Sequence, residues 1–268
     1  MSRILRNQHT VQQNIKYLEV SVTDHCNLNC KYCGNFSPLA PEKYIDIDIF
    51  DRDCARLSSL AKGNIKAIRL LGGEPLLHPR LIEVLDIARK HFTLSRIELV
   101  TNGLLLLKMT EPFWEKCQIN TIHVSISHYP IKLNYSKIKA IAKSYNVKTD
   151  YGNFAQPMYK WLLDVKGTQN IEKSHSHCAR ANMCVTLREG KLYVCSLIPY
   201  VQYFNEYFNQ KMNITEEDCI DLYQVNTFEE ILRYLGKPVL FCKHCDTGKI
   251  VYCNDWGISK REITEWTR

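Results

Sequence analysis

Lys16–Cys33, KYLEVSVTDHCNLNCKYC, is a β-branched stretch that runs straight into three cysteines. Lys16 to Thr23 reads as a strand, and the loop after it carries Cys26, Cys30 and Cys33 as C-x3-C-x2-C. A loop this short lets three thiolates meet three irons of a cubane and leaves the fourth iron without a protein ligand. The spacing also admits a zinc site with a distant fourth ligand such as His25, or three unrelated buried thiols.

Outward from this loop the chain alternates short strands with amphipathic helices, the pattern of βα units around a parallel sheet. A helix is predicted from Asp46, with Ile47, Phe50, Cys54, Leu57 and Ala61 on one stripe and Gly63 as its stop. Ile65–Leu71 is the next strand and ends at Gly72-Gly73; Pro79 then opens a helix with Leu81, Leu85, Ala88 and Phe92 on one face. Arg96–Thr101 and Thr121–Ser127 are strands, followed by a helix presenting Tyr135, Ile138, Ile141 and Tyr145, and Val147–Tyr151 and Trp161–Val165 are the fifth and sixth strands. From about Ser174 the helical rhythm stops and cysteines become dense, which divides the chain into 1–173 and 174–268. In the second part Val185–Cys195 reads as a hairpin turning at Glu189-Gly190, and a helix over Thr227–Leu235 precedes Cys242 and Cys245.

The chain has 268 residues, 45% hydrophobic and 24% charged, which is the balance of a soluble globular protein. MSRILRNQHT lacks an apolar core of the leader type, and no stretch is long enough for a membrane span, so a cytoplasmic location is expected. The formal charge of +7 comes from scattered lysines and arginines, so no nucleic acid or membrane partner is expected, though the field suits an anionic substrate. Twelve cysteines in such a chain point to metal rather than disulfides. Cys54, Cys117 and Cys219 stand apart from the clusters and are expected to be buried.

With Tyr32 included, the loop C-x3-C-x-aromatic-C resembles the defining loop of the radical S-adenosylmethionine (SAM) superfamily. That resemblance implies a partial (β/α)5–6 TIM-like barrel, a [4Fe–4S] cluster on Cys26, Cys30 and Cys33, SAM on the open iron and Tyr32 beside the adenine. Gly72-Gly73-Glu74-Pro75 is similar to the family's GGEP motif, which contacts the SAM amino group; the missing Cβ atoms independently suit close backbone approach. Thr101-Asn102-Gly103 resembles the family's TNG, and Ser125 and Ser127 match polar positions that contact the SAM ribose or carboxylate.

Cys178 and Cys195 bracket the predicted hairpin as C-x11-G-x4-C, and Cys242 and Cys245 follow as C-x2-C. Four such thiolates make either a closed zinc site or a closed cluster. The arrangement resembles the Twitch domain, the short form of SPASM, which implies an auxiliary [4Fe–4S] cluster on these four residues. Cys184 and Cys253 are left over: Cys184 could replace one of the four ligands, Cys253 could cap a partial second cluster, and the alternative for each is a buried thiol.

The resemblance implies reductive cleavage of SAM to a 5′-deoxyadenosyl radical, hydrogen abstraction from a substrate, and a flavodoxin- or ferredoxin-type electron donor. A strand beginning within about twenty residues of the start leaves no room for the peptide-recognition domain of SPASM maturases, which favours a small molecule. The size and the single auxiliary site resemble aminocyclitol-dehydrogenase-like radical SAM enzymes. Phe36–Ala40 resembles radical SAM proteins of polysaccharide-biosynthesis loci. The expectation is net oxidation of a carbohydrate, aminocyclitol or nucleotide-sugar; the alternatives are an epimerase on the same class, a peptide maturase and a zinc-stapled binding module. His128, Tyr129, Asp150 and Tyr151 are candidate substrate contacts, and no residue is assigned as catalytic.

Overall fold

The computed structural model describes residues 13–151, 158–181, 183–248, 251–253 and 256–268. MSRILRNQHT, read above for a leader, lies outside the described residues.

The first half is a run of βα units: β1 (Ile15–Thr23), α1 (Ile47–Ala61), β2 (Ile65–Gly72), α2 (Leu81–His91), β3 (Arg96–Thr101), α3 (Glu111–Ile119), β4 (Ile122–Ile126), α4 (Tyr135–Ser144) and β5 (Thr149–Tyr151). β6 (Met158–Lys160), α5 (Ile171–Ser176), β7 (Val185–Arg188), β8 (Lys191–Tyr193), α6 (Leu197–Phe208), β9 (Ile220–Asp221), α7 (Phe228–Leu235) and β10 (Val251–Cys253) follow. Strands β5, β4, β3, β2 and β1 lie side by side in parallel, an unclosed α/β barrel.

Strand alternation puts Leu18, Val20, Ile68, Leu70, Ile97, Leu99 and Val124 on one face, all buried. Burial of each is worth about 1.5–3 kcal/mol. The Asp46 carboxylate accepts the Asp48 and Ile49 amides at the start of α1, a cap worth about 1 kcal/mol. The helix ends where Lys62 and Gly63 turn to φ +46° and +84°.

The expected hairpin is present as β7 and β8, and its two turn residues, Glu189 and Gly190, both have positive φ, as a two-residue type I′ turn requires. It does not stand apart from the barrel. β7 lies parallel to β1, with Leu18 opposite Val185 and Glu19 opposite Thr186, so one eight-stranded sheet crosses residue 174.

Three sequence expectations need correction. Trp161–Val165 is not a strand of the barrel: Leu163 N–H donates to Trp266 O, Asp164 N–H to His244 O, and Leu162 O accepts from Asp246 N–H. Its apolar run is buried by the C-terminal segments, while the Asp164 carboxylate folds the following residues into a loop by accepting from Lys166, Thr168 and Gln169. The helical rhythm does not stop after Ser174. The helix α6, LIPYVQYFNEYF, buries seven of its residues and is apolar on too many sides to show a one-faced pattern. Cys54 and Cys117 are fully buried, but Cys219, just ahead of β9, is only half-buried.

Candidate active site

The loop after β1 turns tightly because Asn29, Tyr32 and Phe36 take up φ values of +48°, +61° and +54°. These turns bring the cysteines together closely enough that Cys30 feels the charge of both Cys33 and Cys26. Burial pushes the Cys26 thiol up to about 11 and the Cys30 thiol up to about 12, so each gives up its proton readily only to a metal's charge. Cys26 Sγ accepts the Leu28 amide at 3.4 Å, and Cys30 Sγ accepts the Trp256 indole N–H at 3.4 Å.

Gly72-Gly73 lies against the root of this loop. A Cβ on Gly72 would stand 2.1 Å from Thr23 O, and one on Gly73 1.9 Å from His25 O, so neither position accepts a side chain without backbone movement. Gly73 N–H donates to Thr23 O at 2.9 Å, and Glu74 N–H donates to His25 O at 3.1 Å.

The Glu74 carboxylate, which the resemblance aims at SAM, is fully buried here. It accepts the Thr101 hydroxyl at 2.6 Å, the Asn102 amide at 2.9 Å and the Leu76 amide at 3.1 Å. Burial pushes it up to about 7 despite these three donors. From the same turn, Asn102 Nδ2 donates to Asn27 Oδ1 at 2.8 Å and lies 3.8 Å from Cys26 Sγ. Ser127 N–H donates to Thr101 O, and Ser125 sits within β4 between Val100 and Asp150. Cys26, Cys30, Cys33, Tyr32, Gly72, Gly73, Glu74, Asn102 and Ser127 thus share the carboxyl-terminal rim of β1–β4, with Ser125 one step below.

On the far side of β1, Cys178, Cys195, Cys242 and Cys245 line a single pocket with Trp161, Leu162, Val194, Leu197, Ile198 and Phe241. Burial pushes Cys195 to about 12 and Cys242 to about 11, and Cys245 well above the ordinary thiol range. Cys178 Sγ already accepts the Arg180 and Ala181 amides at 3.4 and 3.3 Å, as a thiolate ligand would. Cys184 stands elsewhere, hydrogen-bonded to Glu19, and Cys253 lies in β10. Among the described residues no three His, Cys, Asp or Glu side chains close on a single ion. A cubane asks for a different geometry, each thiolate on its own iron.

The profile of the radical SAM superfamily matches residues 20–150. Those residues form a radical SAM domain. The family uses a [4Fe–4S] cluster and SAM. A GTP 3′,8-cyclase of Mannheimia succiniciproducens is 29% identical over 130 residues, 47% of this chain and 37% of that protein. The matched stretch therefore spans about a third of the length of such curated relatives. The structure of BtrN in complex with AdoMet and 2-DOIA superimposes with a TM-score of 0.52 at 18% identity, covering 87% of this chain and 93% of BtrN. Native anSMEcpe with bound AdoMet gives a TM-score of 0.52 at 14% identity, covering 85% of this chain and 82% of that one. These two likenesses establish the fold.

The inner face of the radical SAM domain carries a polar row that the sequence reading missed. Glu19, Arg69, Glu98 and His123 are neighbours in register across β1–β4. Arg69 reaches Glu19 at 3.7 Å and Glu98 at 2.9 Å, while His123 meets Asp150 at 2.9 Å. The four residues come from four separate strands, so only the register reveals the row. Of the expected substrate contacts, Tyr129 lies near Cys26, Cys30 and Cys33 and beside Trp256, with ring centroids 6.1 Å apart. His128 and Tyr151 instead pack on Tyr135. Trp256 and Trp266, whose indole donates to Cys33 O at 2.8 Å, were also missed, because more than 200 residues separate them from the loop they touch.

Proposed function

We propose that this chain is a radical SAM dehydrogenase acting on a polar small molecule of the carbohydrate, aminocyclitol or nucleotide-sugar class. The observation that carries this reading is the gathering of Cys178, Cys195, Cys242 and Cys245 around one pocket beside the strand that feeds the Cys26 loop. Cys26, Cys30 and Cys33 would hold the cluster that binds SAM and supplies radical hydrogen-atom abstraction there, and Cys178, Cys195, Cys242 and Cys245 would hold a second cluster able to take up the substrate's surplus electron.

The protein's part is to hold, orient and exclude water. Gly72 and Gly73 keep main-chain groups at the rim clear of side chains, and Asn102 stands beside Cys26 at the same rim. Tyr129 and Trp256 stand beside the cysteine loop, their rings 6.1 Å apart, with the Trp256 indole on the Cys30 sulfur. The row of Glu19, Arg69, Glu98 and His123 offers charge-assisted hydrogen bonds that match hydroxyl or amino groups on a ring. BtrN, with the same fold over most of its length, binds AdoMet and 2-DOIA, and we extend that pairing of cofactor and small molecule to this chain.

Anaerobic reconstitution followed by iron and sulfide analysis should give about eight irons per chain, two cubanes. Deuterated sugars, aminocyclitols and nucleotide-sugars are then screened for deuterium transfer into 5′-deoxyadenosine, with GTP alongside because it stands in the relatives' name. Transfer from a polyol with a ketone product is expected. A product at the same oxidation level would make the enzyme an epimerase, and transfer from GTP alone would overturn the substrate class.

A further inference from the structure

Residues 256–259 form a short antiparallel partner for the loop that carries Cys26, Cys30 and Cys33. Lys31 N–H donates to Gly257 O at 2.8 Å, Ser259 N–H donates to Asn29 O at 2.8 Å, and Cys30 faces Ile258 across the bridge. This pairing is main-chain only, so it does not depend on the side chain at 256. It does, however, fix where that side chain goes: Trp256 Nε1–H points at Cys30 Sγ from 3.4 Å. The segment is itself anchored downstream, where Ser259 Oγ donates to Glu265 Oε2 at 2.6 Å and the buried Trp266 donates its indole proton to Cys33 O at 2.8 Å.

We propose that Trp256 is a positioning residue that tunes the cluster on Cys26, Cys30 and Cys33 through its hydrogen bond to the Cys30 sulfur. This rests on reading those three cysteines as cluster ligands. A donor aimed at a ligand sulfur stabilises negative charge there, and the reduced cluster carries one more negative charge than the oxidised one. The bond therefore favours the reduced form and raises the potential at which an external donor delivers its one electron. A phenylalanine would fill much of the same space and offer no donor.

The test is an anaerobic redox titration of the full, reconstituted chain, following the electron paramagnetic resonance signal that changes when SAM is added. Trp256→Phe should keep its iron and its response to SAM, while its one-electron reduction constant falls about tenfold, which is about 59 mV. Trp256→His, which retains an N–H, should lie between the two. A loaded Trp256→Phe protein with the potential of the unaltered chain overturns the proposal. So does the absence, in the unaltered protein, of any exchangeable proton coupled to that signal in double-resonance spectra. If the unaltered chain gives no SAM-responsive signal at all, the cluster reading itself fails, a result distinct from an unshifted potential.

Discussion

Arg188, at the end of β7, grips Asp24, two residues ahead of Cys26, through two hydrogen bonds of 3.0 and 2.8 Å. The Tyr203 hydroxyl donates to the same carboxylate, and the guanidinium lies 4.6 Å from the Tyr200 ring centroid. The cysteine loop is thus held at its root by residues from the second half of the chain.

Removing one partner of this pair leaves a charge stranded, since Asp24 is only 5% exposed. Arg188→Met should lower stability by about 3–5 kcal/mol, whereas combining it with Asp24→Asn should recover much of that loss. Urea unfolding of the four proteins in a double-mutant cycle measures the coupling; additive losses would mean that the pair does not act as a unit.

Glu74 makes the fold's stability depend on pH in an unusual direction for a carboxylate. Its folded value of about 7 lies above the ordinary 4.5, so the folded state holds the proton more tightly than the unfolded chain. The stabilising contribution is complete below about 4.5 and is lost as pH rises to about 7, a swing on the order of 3 kcal/mol. Denaturant midpoints of the metal-free chain from pH 5 to 8 should fall with pH. Glu74→Gln should flatten that slope; an unchanged slope would put its origin elsewhere.

Gly34, next to Cys33, leaves room for a cation. A Cβ there would stand 2.4 Å from Nη2 of Arg180, whose guanidinium also contacts Ser196 Oγ at 3.0 Å and lies 4.4 Å from the Trp161 ring centroid. Gly34→Ala should therefore displace Arg180 and cost about 1–3 kcal/mol, with the Arg180→Ala background absorbing the change. Thermal midpoints of the two single variants and the double variant decide this.

The two cysteine groups should separate by function. Cys26→Ala, Cys30→Ala or Cys33→Ala should abolish SAM cleavage, while Cys242→Ala or Cys245→Ala should retain it, lose about four irons and yield no oxidised product. Persistent SAM cleavage in all three loop variants would remove that site from the chemistry.

What the sequence disclosed was whatever repeats locally. The stripe of Ile47, Phe50, Cys54 and Leu57, the type I′ residues Glu189-Gly190 and the terminal glycines of β2 are short-range signals, and each appears where its spacing implied. α6 was hidden because a helix apolar on most sides has no stripe to read. Trp161–Val165 read as a strand because burial by Trp266 and His244 leaves the same apolar imprint as burial in a sheet. Trp256, Trp266 and Arg188 reach the cysteine loop across 226, 233 and 164 residues, distances at which spacing carries no signal. Glu19, Arg69, Glu98 and His123 became a row only once the strand register was known.

Because Leu18 and Glu19 of β1 face Val185 and Thr186 of β7, the separation between the two thiol clusters is set by a hydrogen-bonded ladder rather than by a linker. An electron crossing from one to the other would meet a gap of constant width. Moving the two halves apart would mean tearing β7 from β1.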